Sequence, residues 1–259
     1  MRRQRHWRVV SIVVRFGFIC VVLLVCHLPL FASIQPINTI ICREELAIGR
    51  RDLLAAKLGT ITGLAVEFDA SGALRLMRAE PRAGSPAARE LLLKALNGTR
   101  VLILEDASDR QDVVFARVIP GRLKHHATES PETFVLLIDF ADFDRLLGDE
   151  PALRAFDVGW AFLHEVDHVV NDSTDGSNPN ETGECESHIN VMRRELALPI
   201  RADYFYELFP NSDRSDFRTR FVRLAFEQKD FGTNKRRRYW VMWDARVVGG
   251  INPQIASAY

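Results

Sequence analysis

The segment from Pro151 to Val170 constrains this chain most. Phe156, Trp160, Leu163, Val166 and Val170 recur at helical spacing, which predicts one long helix with an aromatic-rich face laid on a core. Asp157, His164, Asp167 and His168 stand among those apolar positions. A helix that only packs has little use for this set beside a Trp- and Phe-bearing face, whereas a metal cleft needs polar donors backed by a packed core. His164 and His168 are four apart, so their imidazoles project from one face, one turn apart, and can share a cation. Glu165 follows the first histidine and is placed to take a proton from water that a metal acidifies. The plainer alternative keeps both histidines as ordinary surface or half-buried helix residues.

With 47% hydrophobic and 26% charged residues, the chain has a globular composition and is neither disordered nor fibrous. Its charge is unevenly spread. Arg2, Arg3, Arg5, Arg8 and Arg15 precede any acidic residue, the first being Glu44. Phe16 to Ala32 is apolar, with His27 its only titratable side chain apart from two cysteines. It reads either as a membrane anchor, with Arg15 snorkelling and the span starting near Val9, or as a signal peptide ending near Leu30-Phe31-Ala32. Both readings keep the arginines on the cytoplasmic side and send the domain outward, so an extracytoplasmic protein, membrane-anchored or secreted, is expected. Residues 1–41 are assigned to this leader or anchor and 42–259 to one domain. Without the five arginines the remainder is mildly acidic and gives no reason to expect nucleic-acid binding. Cys20 and Cys26 fall in the apolar segment. That leaves Cys42 and Cys185 to pair in an oxidising compartment or to stay buried and unpaired.

Around the central segment, a helix is predicted from Cys42 to Leu58 with Leu46, Leu53, Leu54 and Leu58 on its stripe and Gly59 as its stop. Leu64 to Phe68 and Ala73 to Met77 flank a turn at Asp69-Ala-Ser-Gly72. Ser85-Pro86 opens a helix over Ala87 to Leu96. Three β-rich runs, Arg100 to Leu104, Val113 to Ile119 and Thr133 to Asp139, precede a short helix at Phe140 to Leu147. Asn171 to Gly183 is a polar loop, and Phe217 to Glu227 with Tyr239 to Val248 forms a β pair.

After the loop, Glu184-Cys185-Glu186-Ser187-His188-Ile189-Asn190 opens a helix predicted to reach Leu196, before Pro199. A catalytic zinc takes three protein ligands and a water, and this segment offers Glu184, Glu186 and His188 as the third. Glu184 and His188 share one helical face, Glu186 and Asn190 another. Here the sequence resembles the gluzincins, zinc metallopeptidases whose downstream helix supplies a glutamate ligand and, four positions later, a polar residue that supports a ligand histidine. The resemblance spans Pro151 to Pro199, with Glu186 eighteen residues after His168, similar to thermolysin-like members. It implies Glu186 as third ligand and Asn190 in support, with Glu184 and His188 as alternatives. It also implies an α/β zincin-like domain of α+β type, with a mixed sheet, an active-site helix and a C-terminal subdomain.

Thirteen acidic residues stand between Asp139 and Glu186, against Arg145 and Arg154, a field suited to cation capture or simply a solvated acidic surface. The Asn171, Asp172, Ser173, Asp175, Asn178 and Asn180 loop lacks the acidic twelfth position of a calcium loop and reads as a flexible polar connection. Lys235 to Arg238 reads as a solvated turn, and Trp240 with Met242 as core-facing strand residues. Tyr204, Tyr206 and His188 are candidates to steady a tetrahedral intermediate. The expected function is zinc-dependent hydrolysis of a peptide or protein substrate by Glu165, with zinc on His164, His168 and Glu186. The alternative is a non-catalytic, membrane-linked binding or assembly protein with no metal, or with a structural metal closed by Cys185 or a second acid.

Overall fold

A computed structural model describes residues 39–78, 80–108, 110–121, 132–178, 181–209, 220–230 and 232–249. Contacts divide the chain into Met1–Ile37 and Asn38–Tyr259, and every described residue belongs to the second unit. The apolar segment from Phe16 to Ala32 lies outside the described residues. Among the described residues no helix is long and apolar enough to cross a membrane.

Helices and mixed sheets make an α/β fold. Strand β1 (Ile40–Cys42) runs parallel to β4 (Val101–Asp106), β4 runs parallel to β6 (Thr133–Ile138), and β5 (Ala116–Gly121) lies antiparallel to β6 at the edge. Residues 39–41 therefore belong to the folded unit, although they read as the end of the leader. A three-residue strand carries no periodicity to reveal itself. Helix α1 (Ile48–Thr62) accordingly starts later than Cys42 and runs through Gly59 to Gly63, whose φ of 75° forms the left-handed cap. Leu53 is solvent-exposed, while Leu54, Leu58 and Ile61 are buried. The β2 (Ala65–Phe68) and β3 (Leu74–Arg78) hairpin and helix α2 (Pro86–Asn97), capped by the Ser85 side chain, fall where the sequence places them.

The long helix is in fact two. After α3 (Phe140–Asp144) and β7 (Leu147–Gly148), α4 (Glu150–Ala155) stops at Phe156 and α5 (Val158–Asn171) begins. Asp157 causes the break, because its Oδ1 accepts from the N–H groups of Gly159 at 2.9 Å and Trp160 at 3.3 Å as an N-cap. Phe156 then packs in a different core from Trp160. The first core lies between the four-stranded sheet and α1, α2, α5 and α6 (Gly183–Glu195). Trp160, Phe162, Leu163 and Val166 are all essentially inaccessible, so α5 is wrapped on most sides rather than lying half in solvent. Each such side chain contributes about 1.5–3 kcal/mol by burial.

The second core backs a sheet of order β7, β11 (Arg236–Asp244), β10 (Phe221–Lys229), β8 (Ile200–Arg201), with β9 (Glu207–Leu208) also on β10. Two expectations are corrected here. Arg236 to Arg238 are strand residues, paired across to Lys229, Gln228 and Glu227, and Arg238 lies 2.6 Å from Glu227. Val241 and Trp243 face the core, while Trp240 and Met242 take the other side, where the Arg223 guanidinium sits 3.8 Å from the Trp240 ring centre. Cys42 and Cys185 are both buried and unpaired.

Candidate metal centre

Helix α5 delivers His164 and His168 as an edge-to-face pair, their Nε2 atoms 3.2 Å apart. The loop after α5 turns Asp175 back onto them, with Oδ1 at 3.1 Å from His164 Nε2 and 3.4 Å from His168 Nε2. Asp175 is held there by a bridge to Gly183, and Thr174 O accepts from the N–H groups of Glu184 at 2.9 Å and Cys185 at 3.1 Å at the start of α6. Cys185 Sγ completes a set of four donors, all within 4.8 Å of one another. This cluster can hold a metal ion. Nitrogen and oxygen donors at 2.0–2.1 Å around a tetrahedral cation lie roughly 3.3–3.4 Å apart. The His164–His168–Asp175 triangle, with edges of 3.1, 3.2 and 3.4 Å, has the size of one face of such a tetrahedron.

The electrostatics point the same way. Burial disfavours charge on both rings, yet contacts with Asp175 and Cys185 raise His164 well above its ordinary range and push His168 up to about 11. Burial likewise opposes the Asp175 carboxylate, but the two histidines and the Tyr204 hydroxyl hold it far below the usual range. The donor set therefore stabilises positive charge at its centre.

The third donor brought to the histidine pair is Asp175, and Glu186, which the resemblance implies, lies outside this cluster. Glu186 is buried, but one oxygen meets Arg193, and the other lies 3.0 Å from Arg201 and 3.4 Å from His164 Nδ1, the ring nitrogen turned away from the cluster. Burial pushes Glu186 up, and the two guanidinium groups outweigh it and hold the carboxyl well below its usual range. Asn190 shares its face as expected but supports no ligand histidine. Its Oδ1 accepts from Arg193 at 2.9 Å and from the Arg201 N–H at 2.8 Å. His188 and Glu184 lie on the opposite face, lining a shallow pocket with Asn171, and His188 Nδ1 meets Asp167 Oδ2 at 2.9 Å. Neither reaches the cluster. Asp175 shows no periodicity and sits in a loop of several similar polar residues. Its only sequence signal is an acid seven positions beyond the second histidine.

Glu165 points elsewhere on α5. Its Oε2 accepts from the Val118 N–H of edge strand β5 at 2.8 Å, and burial raises its carboxyl above the ordinary value. His164 and Glu165 line a cavity of about 300 Å³ with Phe115, Ala161, Tyr204 and Tyr206. Phe115 adopts φ 63° at the mouth of β5, a left-handed conformation unusual for an aromatic residue. The Asp142 carboxylate accepts its N–H at 3.1 Å and its carbonyl accepts from Asp139 at 2.9 Å, which fixes that turn. Among the other expected helpers, Tyr204 reaches the cluster, with its ring stacked over His164 at 6.4 Å, while Tyr206 packs edge-on against Trp243. The loop carboxylates also diverge, since Asp172 pairs with Arg100 at 2.8 Å while Asp175 faces the histidines. Comparison of the chain with family models, with curated proteins and with solved structures gives no match.

Proposed function

We propose that the protein is a zinc-dependent hydrolase acting on peptide bonds, with zinc on His164, His168 and Asp175 and with Glu165 as general base. The single observation that carries this reading is the donor triangle of tetrahedral size, at the border of a cavity that Glu165 also lines. Bound zinc would polarise the substrate carbonyl and acidify water. The chain's own residues do the rest. Glu165, raised by burial, takes up the proton of the attacking water, since a carboxyl shifted toward neutrality is a stronger base than a solvated one. The cavity receives the chain flanking the bond. Tyr204, whose phenol burial and the Asp175 carboxylate shift upward, keeps its proton and donates it in a hydrogen bond to Asp175, which steadies that donor of the cluster. The gluzincin resemblance supports the reaction class but not the ligand set.

A structural metal is the second reading, and Cys185 favours it, because a fourth protein donor closes a site. Against closure, the Cys185 thiol donates to the His164 carbonyl oxygen at 3.2 Å. The discriminating experiment measures zinc per chain and peptide-library hydrolysis for four variants. Asp175→Ala should lose both. Glu165→Gln should keep zinc and lose hydrolysis by about a hundredfold or more. Cys185→Ser should keep both, while Cys185→Ala losing zinc in an otherwise inert protein would establish the structural reading.

A further inference from the structure

Asp167 is fully buried on α5, and the scheme above gives it no task. A buried carboxylate is disfavoured unless donors satisfy it. Three donors from three segments do so here. Oδ1 accepts from Asn171 Nδ2 at 2.6 Å, and Oδ2 accepts from the Ser173 hydroxyl in the loop and from His188 Nδ1 on α6 at 2.9 Å. Ser173 is itself buried although it belongs to a polar loop, and its hydroxyl also lies 3.0 Å from the Asp167 carbonyl.

The consequence is visible on either side of Ser173. Its carbonyl accepts from His168 Nδ1 at 2.7 Å, so the proton of the neutral ring is on Nδ1 and the Nε2 lone pair faces the cluster. Two residues on, Asp175 makes its bridge to Gly183 and presents Oδ1 to both histidines. The loop is thus pinned by Asp167 on one side and by the start of α6 on the other, with a donor of the cluster between the pins.

We propose that Asp167 is a positioning residue for the metal site: through Ser173 it fixes the tautomer and orientation of His168 and holds the loop that carries Asp175. The inference rests on the metal-site part of the proposed function and not on the reaction.

The test uses the full-length chain, Zn²⁺ affinity by competition with a chromophoric chelator, and the visible absorption of the Co²⁺ form, which reports ligand geometry. Asp167→Ala should weaken Zn²⁺ by about 10–100-fold, the range for residues that orient metal ligands, and alter the Co²⁺ band. Ser173→Ala, a loop change that leaves both helices intact, should do the same if Asp167→Ala fails to fold. The double variant should be no weaker than the worse single one by more than about threefold, because both cut one chain of contacts. His188→Ala removes only the tie to α6 and should leave affinity and spectrum unchanged. Parent-like affinity and Co²⁺ spectrum in folded Asp167→Ala and Ser173→Ala would overturn the inference while leaving the metal site standing. So would a loss in His188→Ala equal to that in Asp167→Ala, which would make Asp167 a helix tie. A parent that binds neither Zn²⁺ nor Co²⁺ would instead remove the proposed function and this inference together.

Discussion

Glu165 and Glu186 are both buried beside His164, and their neighbours set them to opposite tasks. Glu165 has a backbone N–H for company and is raised by burial, while Glu186 has two guanidinium groups and is held ionised. Glu186→Gln leaves Arg193, only 2% exposed, without its neutralising charge, and should cost about 3–5 kcal/mol in urea denaturation. Because Glu186 touches the far nitrogen of His164, zinc should weaken by about 10–100-fold without being lost. Complete zinc loss in this variant, with zinc retained in Asp175→Ala, would restore Glu186 as the ligand. Asp142 gives a separate residue-level prediction, away from the cluster. Burial raises its carboxyl to about 6, against the Phe115 N–H and Arg145 contacts that favour the charge. Its folded value lies above its unfolded value of 3.8, so its contribution to stability is complete below about pH 4 and is lost as pH rises through about 6. Asp142→Asn, neutral throughout, should therefore gain about 1–2 kcal/mol on the parent between about pH 4 and 7, part of the shift being screened. A stability difference that stays flat across that window would exclude a raised Asp142.

At the scale of elements, α5 is placed by contacts that a sequence pattern cannot express. Gly159 in its first turn is where α1 crosses it: a Cβ built there lies 2.9 Å from both Ile61 Cδ1 and Lys57 Cβ. Gly159→Ala should thus cost about 1–3 kcal/mol by crowding, despite the better helix propensity of alanine. An unchanged or higher melting temperature would show that α1 can move aside. What was legible follows the same division. Helical spacing and local turn chemistry revealed α2, α6 and the β2–β3 hairpin, because Ser85-Pro86 and Asp69-Ala-Ser-Gly72 act on their own neighbours. His164 and His168 were legible as a pair because one helix turn fixes their spacing. Asp175 was not, since its position depends on a buried Asp167–Ser173 contact and on the start of a later helix. The break before α5 was missed for a related reason. Phe156 satisfies the apolar period of α5 while packing in the other core.

The whole molecule is organised about the seam between its two cores. Arg193 lies in that seam, its guanidinium carbon 5.3 Å from the Trp160 ring centre in the first core and 5.5 Å from Phe226 in the second, with Nε donating to Ala155 O at 2.9 Å. Glu186 neutralises it from α6, so the helix that follows the Asp175 loop also locks the two cores together. The cavity opens at this seam, and its two arginines offer a substrate little charge, because Glu186 sits between them and Arg201 also donates to the carbonyls of Asp203 and Tyr204. What remains on its walls is chiefly aromatic, which suits a large uncharged side chain, and under the proposed reaction one beside the scissile bond. Ala161 lines this space one turn before Glu165 and is no part of the cluster, so Ala161→Phe narrows the cavity while all four donors of the cluster stay in place. Zinc content should stay at parent level and stability within about 1 kcal/mol, as for most substitutions outside a tight core. Hydrolysis should fall about tenfold or more in kcat/KM, most for peptides with a large apolar residue beside the cleaved bond, since a displaced side chain loses binding on the order of 1–3 kcal/mol. Parent-rate cleavage of all peptides by Ala161→Phe would mean that substrate approaches the cluster by another route, and that the cavity serves only the packing of the two cores.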